Sequence, residues 1–88
     1  MFGVSTKQVE DQLVIRYQFF KIEIPLQQIT SVTRDDTYGG SESSAIRIGP
    51  ARTTERILIH TNHQSYILFT NSENMLSAIQ AMLSDLAS

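Results

Sequence analysis

The spacing of apolar residues changes period once along this chain, and that change restricts the fold to a β-rich body followed by a single helix. Before the change, apolar and polar residues alternate with the period of two of a strand that rests one face on a core. Leu13, Ile15 and Tyr17 fall on one face with Val14 and Arg16 on the other, and Phe20, Ile22 and Ile24 alternate with Lys21 and Glu23. From Met75 onward the spacing becomes three and four. Met75, Leu76, Ile79, Met82, Leu83 and Leu86 make one stripe of a helix, with Asn74, Ser77, Ser84 and Asp85 largely opposite.

Breaks in the alternation place the turns. The parity reverses between Phe19 and Phe20, which a strand cannot do without a bulge or a turn, so a hairpin is expected about Gln18-Phe19. Glu10-Asp11 is a second turn signal. Pro25 lacks an amide hydrogen and ends its strand; Leu26, Ile29 and Val32 are spaced as a short turn into the next. Asp35 to Ser44, with Gly39-Gly40 at its centre, reads as the longest loop, and Gly49-Pro50 ends a short strand. Asn62-His63 divides the two strongest strands, with Asn62 expected to supply the positive φ of a two-residue hairpin. Strands are therefore expected at about 4–9, 12–18, 20–24, 29–36, 45–48, 56–61 and 64–70. The helix is expected at about 71–86, opened by a capping box of Thr70 and Glu73, with Asn71 as an alternative cap.

Seven antiparallel strands running up and down twist strongly and can curl into two nearly orthogonal sheets. One apolar helix face is the right size to close the open end of such a barrel. With 88 residues the chain has room for one such domain.

Composition removes several functions. There is no Cys, hence no disulfide and no thiolate metal site, in keeping with a reducing cytoplasm. A net charge of −2 argues against nucleic acid as a partner, because that affinity comes from clustered Lys and Arg. No apolar run reaches the ~20 residues of a membrane helix, and Met1 to Lys7 lacks the apolar centre and cleavage site of a signal peptide. The expectation is a soluble, cytoplasmic protein. The helix has no Lys or Arg on its polar face, so its stripe is assigned to the core rather than to a membrane surface.

No catalytic residues, metal site or cofactor is expected. The Ser residues lack a nucleophile-elbow context, and His60 and His63 stand at a hairpin with no acidic cluster beside them. Three binding readings remain. Arg47, Arg52 and Arg56 flank the Gly49-Pro50 loop; each guanidinium is a planar fork that matches phosphate or another small anion, and Arg47 and Arg56 would face one another across adjacent strands with Arg52 on the loop between them. Paired instead with acids such as Glu42 or Glu55, they would be ordinary solvated cations. Tyr38, Gly39 and Gly40 combine close backbone approach with an aromatic face that has a polar tip; as a plain turn, the same residues would pack Tyr38 on the barrel rim. An open barrel also leaves a strand edge to which a protein or peptide partner, or a second copy of the chain, can add. Phe2 and Phe19 are candidate apolar anchors for such a partner; the alternative is that either completes the core.

Seven strands followed by a closing helix is also the element order of the pleckstrin-homology (PH) fold. Ile24-Pro25-Leu26-Gln27-Gln28-Ile29, with Val32 following, resembles the I-P-L-x-x-I-x-x-V segment of bacterial PH-like domains. Asp36 to Gly40, Ile46 to Pro50, Thr54 to Ile57 and Tyr66 to Thr70 are similar to the sublancin immunity protein (SunI)-like family of those domains. The resemblance implies a PH-like barrel, no catalysis, and bacteriocin immunity or another role at the cytoplasmic membrane face. Immunity-type members are associated with a membrane anchor, and none is visible in this sequence. The basic residues of the first strands, Lys7, Arg16 and Lys21, are diluted by Glu10, Asp11 and Glu23, which does not match a phosphoinositide site.

Overall fold

The computed structural model describes residues 3–34, 45–50 and 53–87. Strands β1 (Ser5–Val9), β2 (Gln12–Tyr17) and β3 (Phe20–Pro25) form one antiparallel sheet in the order β1-β2-β3. Two-residue turns join them, at Glu10-Asp11 and at Gln18-Phe19, where the parity of the sequence breaks. In each turn the first residue alone has a positive φ, 56° at Glu10 and 54° at Gln18. That is the pattern of the primed turn whose twist matches flanking strands, and it is usually filled by Gly at this position. The register sets Leu13 beside Ile24, Ile15 beside Ile22 and Tyr17 beside Phe20, so one face of this sheet is continuously apolar.

After Pro25 a 3-10 turn, Leu26–Gln28, swings the chain to the second sheet. Leu26 is buried in the core and its amide donates to the carbonyl of Asp11 at 2.9 Å, tying this corner to the first hairpin. The second sheet contains β4 (Ile29–Arg34), β5 (Ile46–Ile48), β6 (Glu55–Thr61) and β7 (Ser65–Thr70), in the order β4-β6-β7-β5.

Here the structure corrects the expected up-and-down order at one strand. β4 pairs with β6 and β6 with β7, both antiparallel, but β5 lies at the far edge and runs parallel to β7. The apolar runs Ile57-Leu58-Ile59 and Tyr66-Ile67-Leu68 are buried on both faces and take the centre of the sheet. Ile46-Arg47-Ile48, three residues with a cation in the middle, suits an edge. Alternation assigns a residue to a face; it does not choose the neighbouring strand.

The core lies between the sheets and includes Leu13, Ile15, Ile24, Leu26, Val32, Ile48, Ile57, Ile59, Tyr66 and Leu68. Burial also extends beyond it. Val14 points away from this core yet is 2 % exposed, against the expectation of a solvated outer face. Its cross-strand neighbours there are Lys7 and Glu23, long side chains whose aliphatic stems are suited to cover it.

The helix α1 (Met75–Ala87) packs on β1, β4 and the 3-10 turn. Met75 and Ile79 are buried in the core, with Leu76, Met82 and Leu83 packed against it. Gln80 Nε2 donates to the carbonyl of Val32 at 3.2 Å. The helix begins where the apolar stripe begins, later than the expected capping box implies, because both expected caps are otherwise engaged. Thr70 is the last residue of β7, and its hydroxyl accepts the amide of Ser72 at 3.1 Å in a local turn. Asn71 Oδ1 accepts the amide of Thr54 at 2.9 Å. The first helical bond runs instead from the Ala78 amide to the carbonyl of Asn74 at 3.0 Å, which puts Asn74 at the cap position.

Candidate functional site

β3 is an edge of the first sheet and β5 an edge of the second, and no hydrogen bonds pair them among the described residues. Between them opens a slot of 150 Å³ lined by Tyr17, Phe20, Ile22, Ile46, Arg47, Ile48 and Gly49. Its walls follow from the registers. Tyr17 and Phe20 are the closing pair of the second hairpin, on the core face but at its end, with Ile22 next along β3. Ile46 and Ile48 are level with the core residues Tyr66 and Leu68, so both belong to the inner face of β5. Because the sheets part here, the margin of the core is left open. Phe20 is 65 % exposed and Ile46 38 %, and Phe19 at the hairpin tip is fully exposed.

Gly49 makes the floor of the slot possible. Its φ is +114°, and a Cβ there would lie 2.5 Å from the carbonyl oxygen of Phe69 and 2.8 Å from Val4 Cγ2. Only a residue without a Cβ lets the end of β5 close this tightly on β7 and on the chain entering β1. The outer face of β3 carries Lys21 and Glu23, both exposed, with Nζ and Oε2 3.6 Å apart.

Of the residues singled out from sequence, Tyr38, Gly39, Gly40 and Arg52 lie outside the described residues, as does Phe2. Arg47 is on β5 and borders the slot; Arg56 is on β6. They do not sit on adjacent strands as expected, since β7 runs between them, with Arg47 level with Ile67 and Arg56 level with Phe69. They share the outer face, but two strand spacings of about 4.8 Å separate them, so they are not cross-strand neighbours. Glu55, an expected partner for them, meets Arg34 Nε at 3.0 Å.

The two histidines are hairpin residues. His60 Nδ1 lies 2.8 Å from Ser65 Oγ across β6 and β7, a contact the separate positions in sequence do not announce. It pairs a hydroxyl with a base, but neither residue lines the slot, and no third group is seen to orient the imidazole among the described hydrogen bonds. His63 is exposed, and Asn62 does not take the positive φ expected of it. The turn is held by the Thr61 hydroxyl, which accepts the amides of His63 and Gln64 at 3.2 and 3.0 Å and donates to the Gln64 carbonyl at 2.6 Å. Among the described residues no group of three or more His, Cys, Asp or Glu could hold a metal. A second, shallower trough runs between the β4 edge and α1, lined by Leu26, Gln27, Ile29, Thr30, Leu83 and Leu86.

Two small sheets, open along one seam and closed by a C-terminal helix, define a PH-like domain. The model of the SunI-like bacterial PH domain matches residues 2–81, and the chain belongs to that family. It is 50 % identical over 84 residues to a UPF0457 protein of Bacillus thuringiensis subsp. konkukian (strain 97-27), covering 92 % of this chain and 100 % of the relative. It is 42 % identical over 77 residues to the UPF0457 protein YnzG of Bacillus subtilis (strain 168), covering 86 % and 93 %. A UPF0457 protein of Geobacillus thermodenitrificans (strain NG80-2) is 49 % identical over 71 residues, covering 80 % and 76 %. The names of these relatives state no activity. No solved structure matches the chain significantly. No described helix is long and apolar enough to cross a membrane.

Proposed function

We propose that this protein is a non-catalytic interaction module that takes an extended segment of a protein partner into the seam between β3 and β5. The observation that carries the reading is the slot itself: an apolar strip at the margin of the core left open between two strands, each with one edge unpaired among the described residues. An extended chain laid there satisfies edge amides and carbonyls with its backbone and buries alternate side chains against Phe20, Ile22 and Ile46. The spacing of Arg47 and Arg56 gives the small-anion reading less support.

The test is selection of short random peptides on the whole protein, followed by amide resonance mapping. Selected peptides should alternate apolar and polar residues, shift the resonances of Ile22 and of Ile46 to Ile48, and lose binding in a Phe20→Ser, Ile46→Ser variant. Failure to select any such peptide, or shifts confined to the β4–α1 trough, overturns it.

A second reading, an immunity-type protein acting at the cytoplasmic membrane face, draws on the family membership and on Phe19, fully exposed at a tip where Arg16 stands directly across from Lys21. Co-sedimentation with phosphatidylglycerol vesicles that is lost in Phe19→Ser supports it; indifference to those vesicles removes it.

A further inference from the structure

From the β3 edge we infer that the extended segment it takes is the β3 of a second copy of this chain, paired antiparallel about a two-fold axis at Ile22. This rests on the seam being a strand-binding site, and it names the strand.

Tyr17 and Phe20 close a two-residue hairpin, so they exchange hydrogen bonds with each other. By alternation Ile22 and Ile24 also bond to β2, which leaves the amides and carbonyls of Lys21 and Glu23 directed at the open edge. Pro25 agrees with this phase: it stands opposite Gln12 at a position whose missing N–H faces outward.

For two copies of β3, the outward-directed residues must meet one another, which allows two-fold axes at Lys21, Ile22 or Glu23. An axis at Lys21 opposes Lys21 to its own copy, and one at Glu23 opposes two carboxylates. Only the axis at Ile22 sets each Lys21 against a Glu23, twice, with four backbone hydrogen bonds between the outward groups. On the inner face the same register places Ile22 against Ile22 and the exposed Phe20 against Ile24. An edge guarded against self-pairing carries like charges, commonly Lys. This edge carries one charge of each sign two residues apart, on side chains already within 3.6 Å of each other, and is complementary to itself.

The experiment is sedimentation velocity on the whole protein and two charge reversals, Lys21→Glu and Glu23→Lys. Both positions are exposed, so the fold is retained, as circular dichroism checks. The wild-type chain should dimerise. Each reversal turns two attractive pairs into two repulsive ones and should weaken the dimer by about tenfold or more. An equimolar mixture of the two variants should restore it, since an all-acidic edge then meets an all-basic one. A wild-type monomer, or a dimer that neither reversal weakens, overturns the inference. A monomer that still binds selected peptides in the seam ends this inference alone and leaves the interaction-module reading standing.

Discussion

Replacing Gly49 with Ala puts a methyl carbon 2.5 Å from the Phe69 carbonyl oxygen and 2.8 Å from Val4 Cγ2, at a backbone φ of +114°. Two costs add. Holding a residue with a Cβ in that region of backbone space costs about 1–3 kcal/mol. Forcing a carbon against a packed backbone carbonyl, which cannot rotate away as a side chain would, costs about 1–3 kcal/mol more. The sum of about 2–6 kcal/mol is comparable to the whole stability of about 3–5 kcal/mol expected of a domain this small without disulfide or metal. Urea unfolding followed by circular dichroism should show a large loss of midpoint at unchanged slope, and the melting temperature should fall by roughly 10 °C or more. Gly3→Ala is the control, because a Cβ there meets nothing within 4 Å and its φ is not positive; its effect should stay within about 0.5 kcal/mol. A Gly49→Ala protein as stable as wild type would refute both the close approach and the backbone assignment.

Ile79→Ala should cost about 2–5 kcal/mol in the same urea assay, because Ile79 is wholly buried where α1 meets the core. Gln18→Gly should raise stability by about 0.5–1 kcal/mol, read as a higher melting temperature, by relieving the positive φ of a residue with a Cβ. Thr61→Val keeps the shape of the side chain but removes a hydroxyl with three bonds, and should cost about 1 kcal/mol, with faster amide exchange at His63 and Gln64.

The first sheet was readable in outline because its signals are local. The parity break at Phe19-Phe20 and the turn signal at Glu10-Asp11 depend only on neighbouring residues, and two-residue hairpins then set register and direction together. β5 was not readable in the same way. Its inner face, Ile46 and Ile48, follows from alternation, but its neighbour depends on which strands win the centre of the sheet. That contest is decided by two-sided burial of Leu58 and Ile67, and alternation assigns such residues to solvent. The helix start is not legible because Thr70 and Asn71 have the chemistry of caps, but their polar atoms serve Ser72 and Thr54, and the second of these is distant in sequence. The seam inherits the difficulty of β5: Phe20 and Ile22 look like ordinary core residues until the opposite wall has been placed. Of its lining residues the chemistry of the sequence singles out Arg47, and Phe19 marks the neighbouring hairpin tip.

The parallel attachment of β5 also bears on the order in which the molecule assembles. A hairpin such as β6–β7 can zip from its turn, whereas β5 must wait for β7 to be in place and then dock against it with three residues and one neighbour. It is therefore last to join and first to detach, and its amides should exchange with solvent well before those of β6. One bank of the seam is anchored in a continuous three-stranded ribbon, while the other hangs on one partner strand with Ile48 alone of its three residues seated in the oily centre, so it is this bank that has to yield when a guest enters.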